Sequence, residues 1–185
     1  MNENLSAIVI WDDPIIGLFL NEGFPPKDWP SLVEMSNRFA KLAKELDGYA
    51  GQNAAGDLDH ARLLAEVLSR KIDLRVRLVA GYDSRDHAAL TAVGKDALAL
   101  AESFETLEAS WRRGWMRRNK PQGFEVIQLR VAQQAIRHRE LARRVDELLT
   151  GTVSAIPELD ERIKEAKGMA APFGWRSIAT SSVSI

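Results

Sequence analysis

Three adjacent acidic pairs are the first residues in this chain that could do chemistry. Asp12-Asp13, Asp146-Glu147 and Asp160-Glu161 each set two carboxyl groups side by side, and carboxyl groups are common donors and acceptors in general acid/base catalysis. Each pair also has a simpler reading. Asp146-Glu147 falls late in a helical pattern, where neighbouring side chains point about 100° apart, and no strand pattern surrounds it to build a pocket. Asp160-Glu161 falls in the first turn of a helix, where carboxylates favour the macrodipole. Asp12-Asp13 stands before Pro14 and reads as a cap, Asp13 at the N-cap position and Pro14 first in the helix. The histidines are His60, His87 and His138. They share no i, i+4 spacing, and a metal site needs at least three convergent ligands. His60 and His87 read as surface residues at helix starts, and His138 as a hydrogen-bonded residue in a helix seam. No nucleophile elbow or phosphate-cradling glycine loop is present. The expectation is a chain with no catalytic residues, no cofactor and no metal.

A second constellation is basic and aromatic. Between Arg112 and Arg144 lie ten Arg or Lys residues against only Glu125 and Glu140, with Trp111, Trp115 and Phe124 interleaved at the start. Such a stretch could bind nucleic acid or an acidic protein. The competing reading is structural, with the aromatics on an apolar seam and Arg112-Arg113 and Arg143-Arg144 on outer faces. The first sixty residues carry ten acidic and four basic residues, enough to neutralise part of the basic surface.

The elements that must position these residues are helices. Leu90, Val93, Ala97, Leu100, Phe104, Leu107 and Trp111 alternate steps of 3 and 4, as in the seam of an antiparallel coiled coil. Phe124, Ile127, Val131, Gln134, His138, Leu141, Val145 and Leu148 continue that rhythm. Between the two arms, Asn119-Lys120-Pro121-Gln122-Gly123 cannot stay helical, because Pro121 has no N–H and restricts Lys120. A helical hairpin follows, placing Val131 near Trp111 and His138 near Phe104, with Gln134 and His138 as polar members of the seam. Gly151 ends the second arm.

Before the hairpin, Asp28 is expected to cap a helix carrying Pro30 in its first turn and Leu32, Met35, Phe39, Leu42 and Leu46 on one face, ending near Gly48. Asp57 or Asp59 opens a helix buried on two sides (Leu64, Leu68, Ile72, Val76, Val79; Leu63, Val67, Leu74, Leu78), stopping around Gly81 before a tight turn at 83–86. At the start, Ser6 to Trp11 is β-branched and reads as a strand, followed by a helical turn or two over Ile15 to Phe19. A last short helix begins at Ile156-Pro157 and runs to about Lys167. Trp175 to Ile185 favours an extended strand, with Ala7 to Ile10 as its partner.

Composition sets the class. At 185 residues with 45% hydrophobic and 28% charged residues and a net charge of −1, the chain is an ordinary globular domain with room for a core. With no cysteine, disulfides and thiolate metal sites are excluded, which fits a reducing compartment. The opening residues lack the basic and apolar regions of a signal peptide, and no run approaches the roughly 20 apolar residues of a membrane span. A cytoplasmic location is therefore expected.

Four stretches carry a family resemblance. Trp11-Asp12-Asp13-Pro14-Ile15-Ile16-Gly17-Leu18-Phe19, the run Lys71 to Leu78 with Tyr82 and Asp83, the tip Asn119 to Val126, and Trp175 to Ile185 together resemble the C-terminal helical domain of bacterial β-N-acetylhexosaminidases of glycoside hydrolase family 20. Gln122 and Gln128 depart from that pattern, where a larger apolar and an acidic residue are expected. In the family, the sugar's own acetamido group attacks the anomeric carbon while an Asp-Glu pair orients it and protonates the leaving group, an exception to the usual two-carboxylate scheme. That pair sits on a (β/α)₈ barrel of about 250 residues, too large for this chain. The resemblance therefore implies a non-catalytic accessory domain associated with dimerisation, its partners being the barrel of the parent chain and a second copy.

The expected fold is all-α: an antiparallel helical bundle with a long hairpin and short extended segments at both chain ends. One domain over residues 1–185 divides into a strand and linker (1–27), the bundle (28–167) and an extended tail (168–185). Trp111, Trp115, Arg118, Asn119, Lys120, Phe124 and Glu125 are the expected interface residues, aromatics and Arg being enriched in such surfaces. The alternative is a free-standing helical module that binds nucleic acid or an acidic protein through the Arg-rich hairpin.

Overall fold

The computed structural model describes residues 9–17, 19–20, 30–49, 52 and 56–162. After a short helical stretch at residues 9–11, the helices that follow among the described residues are α1 (Leu32–Asp47), α2 (Asp57–Ser84), α3 (His87–Arg118), α4 (Phe124–Leu149) and the single turn α5 (Pro157–Asp160). No strand occurs among the described residues. Consecutive long helices pack on one another, α1 on α2, α2 on α3 and α3 on α4. The fold is the expected all-α bundle. The tail at 168–185, its strand and that strand's pairing with Ala7 to Ile10 lie outside the described residues.

The α3/α4 hairpin follows its sequence rhythm. Val93, Ala97, Phe104 and Leu107 of α3 and Leu141 of α4 are fully buried. His138 lies against Phe104, ring centroids 5.1 Å apart, at the register obtained by folding the arms about residue 121. At the tip, Gly123 takes φ +93°, a left-handed conformation that glycine adopts without a Cβ penalty. Beyond Leu149, Gly151 has φ +76° and lets the chain leave the helix.

Several boundaries differ from the sequence reading. α1 starts at Ser31 rather than Asp28: its hydroxyl accepts from the Glu34 N–H while the Glu34 carboxylate accepts from the Ser31 N–H. Such a reciprocal capping box satisfies two helix-end donors, and Pro30 lies outside the helix. α2 continues past Gly81 to Ser84. A Cβ at Gly81 would lie 3.4 Å from Ala89 and Leu90, so this glycine admits the close approach of α3 rather than ending α2. Arg85, at φ 53°, makes the turn, and the Asp86 side chain caps α3 through the Ala89 N–H. α5 closes at Asp160, short of the expected Lys167, and residues beyond 162 lie outside the description.

Residues 9–11 are helical where a strand was expected, and 14–16 form a turn rather than a helix. The reason lies in where the carbonyls go. Those of Ile10, Trp11 and Asp12 accept from side chains of α2 and α4 instead of a neighbouring strand.

Candidate functional site

Residues 9–20 lie as a strap against the bundle, held by two cations of α2. Lys71 and Arg75 stand one turn apart, in line with Leu68, Leu78 and Tyr82, so the helix carries both into its buried face. Lys71 is 1% exposed and Arg75 2%. The Lys71 ammonium donates to the Ile10 carbonyl at 2.9 Å, to the Asp12 carbonyl and to Gln134 Oε1 at 2.7 Å. Gln134 in turn donates its amide N–H to the Trp11 carbonyl at 3.0 Å. The Arg75 guanidinium donates to four carbonyls of the strap: Pro14 at 3.2 Å, Ile15 at 2.7 Å, Ile16 at 3.3 Å and Leu20 at 3.0 Å. Buried polar groups are tolerated when they are hydrogen-bonded, and here the partners are backbone carbonyls that a folded strap must satisfy somewhere.

The strap shapes itself around its own carboxylates. Asp13 Oδ1 accepts from the Ile15 and Ile16 N–H groups at 2.8 and 3.0 Å, the capping role its sequence position suggests. Asp12 Oδ2 accepts from Phe19 and Leu20 at 3.1 and 2.9 Å, closing the loop. Arg137 of α4 grips Asp13 with two bonds, 2.6 and 3.2 Å long, in the bidentate geometry favoured by guanidinium–carboxylate pairs. Gly17 sits at φ +60° directly over the Arg75 guanidinium, where a Cβ would approach within 2.6 Å.

Electrostatics follow from this burial. Loss of water pulls the Lys71 ammonium down to about 7, against the opposing pull of Asp12 and Asp13. Burial likewise lowers Arg75 to about 10. For Asp13, burial acts upward, but the Arg137 hydrogen bond, the Ile16 N–H and the Arg137 charge outweigh it and leave the carboxyl below its ordinary value. His138 is pushed down to about 3, first by burial and then by the Lys71 charge, so it is neutral. Its Nδ1 lies 2.6 Å from the Gln134 carbonyl, while Nε2 finds no partner. A lysine lowered towards neutrality is a familiar general base. Here the amine is enclosed by carbonyls and Gln134, so the chemistry it performs is to hold backbone.

Structure places the other candidates apart. Asp160 accepts from the Tyr82 hydroxyl at 2.9 Å, and that hydroxyl accepts from the Ile156 N–H, which ties α5 to α2. Asp146 is exposed, and Glu147 pairs with Arg144 at 3.6 Å. His87 is exposed. His60 is only partly exposed: it contacts Ser110 Oγ at 3.2 Å and tilts against Trp111, 5.2 Å between centroids. Sequence reading missed that contact, because it spans α2 and α3. Among the described residues, no group of three or more His, Asp or Glu converges as for a metal ion. None of their helices is long and apolar enough to cross a membrane.

The expected interface residues gather at the hairpin tip, though several are spent inside the molecule. Trp111 stacks on Trp11 of the strap at 6.1 Å and 19°. Trp115 donates its indole N–H to the Lys120 carbonyl at 2.8 Å and packs on Phe124 at 5.9 Å. Phe124 is 2% exposed. Glu125 accepts from the Gly123 N–H. Arg118, Asn119, Lys120 and Glu125 face solvent. A cleft of about 330 Å³ opens beside them, between Asp57 and His60 of α2 and Arg113 and Trp115 of α3. The basic stretch is largely matched by carboxylates. Arg117 and Arg118 pair with Asp57, Arg137 with Asp13, Arg139 with Glu105, Arg143 with Glu140 and Arg144 with Glu147. Six of its ten cations are thus committed, which argues against a nucleic-acid surface.

Compared with known families, residues 1–172 match the model of the Glycoside Hydrolase 20C C-terminal domain. No curated protein matches the chain.

Proposed function

The chain belongs to the glycoside hydrolase 20C C-terminal domain family, and from that premise we propose that it is a non-catalytic brace for the catalytic domain of its parent enzyme. Residues 1–185 act as one accessory domain. The parent barrel hydrolyses terminal N-acetylhexosamine residues, as in a β-N-acetylhexosaminidase, and the helical domain stabilises it and supports self-association of the enzyme through the α3/α4 hairpin. Trp111, Trp115 and Phe124 stiffen the hairpin tip, while Arg118, Asn119, Lys120 and Glu125 supply its outer contacts.

The observation that carries this reading is the strap. In such an enzyme, the chain arriving from the catalytic domain passes through residues 9–20. Lys71, Arg75 and Gln134 grip that passage by its main chain. A passage held by backbone carbonyls at seven of its residues transmits position from one domain to the next, where a linker free of tertiary bonds would not.

Two measurements test the proposal. The chain of residues 1–185 should not turn over a chromogenic N-acetylglucosaminide, while the parent enzyme does. Arg75→Met in the parent should lower the thermal midpoint of the catalytic domain, read as loss of turnover on heating. Turnover by the 185-residue chain, or a parent indifferent to Arg75→Met, would overturn it.

A further inference from the structure

The groove that holds the strap belongs to the helices. Lys71 and Arg75 of α2 and Gln134 and Arg137 of α4 line it, and both helices pack on α3. Phe104 of α3 reaches both, its ring centre 5.7 Å from the Lys71 ammonium and 5.1 Å from the His138 ring. The strap, for its part, has bonds of its own. Asp12 and Asp13 accept from the N–H groups of Phe19, Leu20, Ile15 and Ile16, and the Gly17 N–H donates to the Asp13 carbonyl at 2.9 Å. Two parts, each with internal bonds, thus meet along one contact. That is the anatomy of a receptor and its peptide.

Complementarity runs through three kinds of contact. Seven strap carbonyls accept from the groove, and main-chain bonds give affinity while side chains give specificity. Side chains do select here. Val9, Ile10, Ile15 and Leu20 are buried in the core. Trp11 stacks on Trp111 and has the Arg130 guanidinium over its ring at 5.8 Å, and tryptophan and arginine are the commonest interface anchors. Asp13 takes the fork of Arg137. At position 17 only glycine fits, because a Cβ would come within 2.6 Å of the Arg75 guanidinium. Charge matches as well: the groove brings Lys71, Arg75 and Arg137, and the strap brings Asp12 and Asp13.

We propose that the groove between α2 and α4 is a peptide-binding site whose ligand is the strap, read by its main chain and by Trp-Asp-Asp-Pro-x-x-Gly at residues 11–17. The strap therefore stays bound when the chain beyond it is cut, and a free peptide of the same sequence can replace it. This rests on the brace reading above and says how the brace grips: the helical domain recognises the segment arriving from the catalytic domain, beyond being joined to it.

A protease recognition sequence inserted between residues 20 and 30 of the 185-residue chain tests this. After cleavage, the strap piece should stay with the bundle on size exclusion at about 1 µM, where a dissociation constant above ~10 µM would release it. A fluorescent peptide of residues 9–20 should then exchange into the cut protein. Peptides carrying Gly17→Ala or Asp13→Asn should compete at least about tenfold less well, since one meets the Arg75 guanidinium and the other loses the charged fork of Arg137. Both changes lie in the peptide, so the folding of the bundle is not altered. Binding should weaken as salt is added, as between oppositely charged surfaces. A strap piece that leaves on cutting shows that continuity of the chain, not recognition, holds it. Variant peptides that compete like the original show that the groove does not read this sequence. Either result overturns the proposal. Cutting the parent enzyme at the same place separates the two readings. Pieces that stay together, in a parent whose turnover on heating is indifferent to Arg75→Met, leave the peptide site standing and remove the brace. Pieces that part remove the peptide site, whatever Arg75→Met does.

Discussion

Two clusters of cations sit at opposite poles of usefulness in this molecule. Lys71 and Arg75 are sealed beneath the strap, and each bonds to backbone carbonyls. Arg117 and Arg118 stand exposed at the hairpin tip, paired with Asp57. In sequence, both clusters are simply basic residues on long helices. Helix geometry separates them. Lys71 and Arg75 interrupt a stripe otherwise made of Leu68, Leu78 and Tyr82, whereas Arg117 and Arg118 follow the last seam residue. A cation with water at hand is replaceable, and one whose partners are buried carbonyls is not. Removing one side of a buried charged contact leaves the other side unsatisfied.

The largest effect expected from this contrast is at Arg75. Arg75→Met strands four strap carbonyls and should cost about 3–5 kcal/mol, the range for breaking a buried charged network. Denaturant unfolding of the 185-residue chain measures it. A loss under about 1 kcal/mol would mean that the strap is not integral to the fold. Arg75→Lys should recover little, since one ammonium cannot match the fork of a guanidinium. Gly17→Ala attacks the same contact from the strap side. It forces a Cβ into φ +60° and to 2.6 Å from a guanidinium that is itself pinned. A loss of about 2–3 kcal/mol is expected from strain plus overpacking, read as a shift in the unfolding midpoint.

Much of this architecture was legible beforehand, and the part that was not has a common cause. The α3/α4 seam is a local, periodic signal, and its register followed from one turn at Pro121. That is why Phe104 and His138 could be paired and why Gln134 and His138 stood out as polar seam residues. The strap is non-local. Ser6 to Trp11 is β-branched and reads as a strand, but over residues 9–11 local propensity yields where side chains sixty or more residues on take the carbonyls. Lys71 and Arg75 carried the only available clue, two cations in line with Leu68 and Leu78. The tip was legible as a hairpin, but not the meeting of Trp115 and Phe124 across Gly123, a contact that spacing alone does not reveal. Ser31-Leu32-Val33-Glu34 is a capping-box signature that outweighs the aspartate at 28.

Titration sharpens the contrast, because the strap site does not hold its ordinary values. His138 is near 3 when folded and 6.5 when unfolded. Between those values the unfolded chain binds more protons, so stability falls as pH drops below about 6.5. From pH 7 to pH 5 the loss should be about 2 kcal/mol, at 1.36 kcal/mol per unit. Lys71 is near 7 when folded and 10.5 when unfolded. Again the unfolded chain binds more protons in the window, so stability should climb from pH 7 towards 10.5, by a similar amount over the first two units. Unfolding midpoints at pH 5, 7 and 9 test both limbs. His138→Phe should flatten the acid limb and Lys71→Met the alkaline one. A curve that falls on both sides of pH 7 would contradict the assignment of these groups.

The smallest expected effect lies at the tip. The Arg118 hydrogen bond and the charges of Arg118 and Arg117 hold the Asp57 carboxyl below its ordinary value. Both arginines and Asp57 are open to solvent, 42–52% exposed along their side chains. Exposed ion pairs gain little, because water screens the charges and ordering two long side chains opposes the gain. Asp57→Asn should therefore leave the unfolding midpoint within error of the wild type at 0.15 M salt, where the Debye length is about 8 Å. The same substitution frees two guanidinium groups at the mouth of the tip cleft. If Arg117 and Arg118 matter only as surface charge, binding of single-stranded DNA should rise in Asp57→Asn at low salt and vanish as salt is added. A midpoint lowered as far as in Arg75→Met would erase the distinction between the two clusters, and the tip would have to be counted as part of the core.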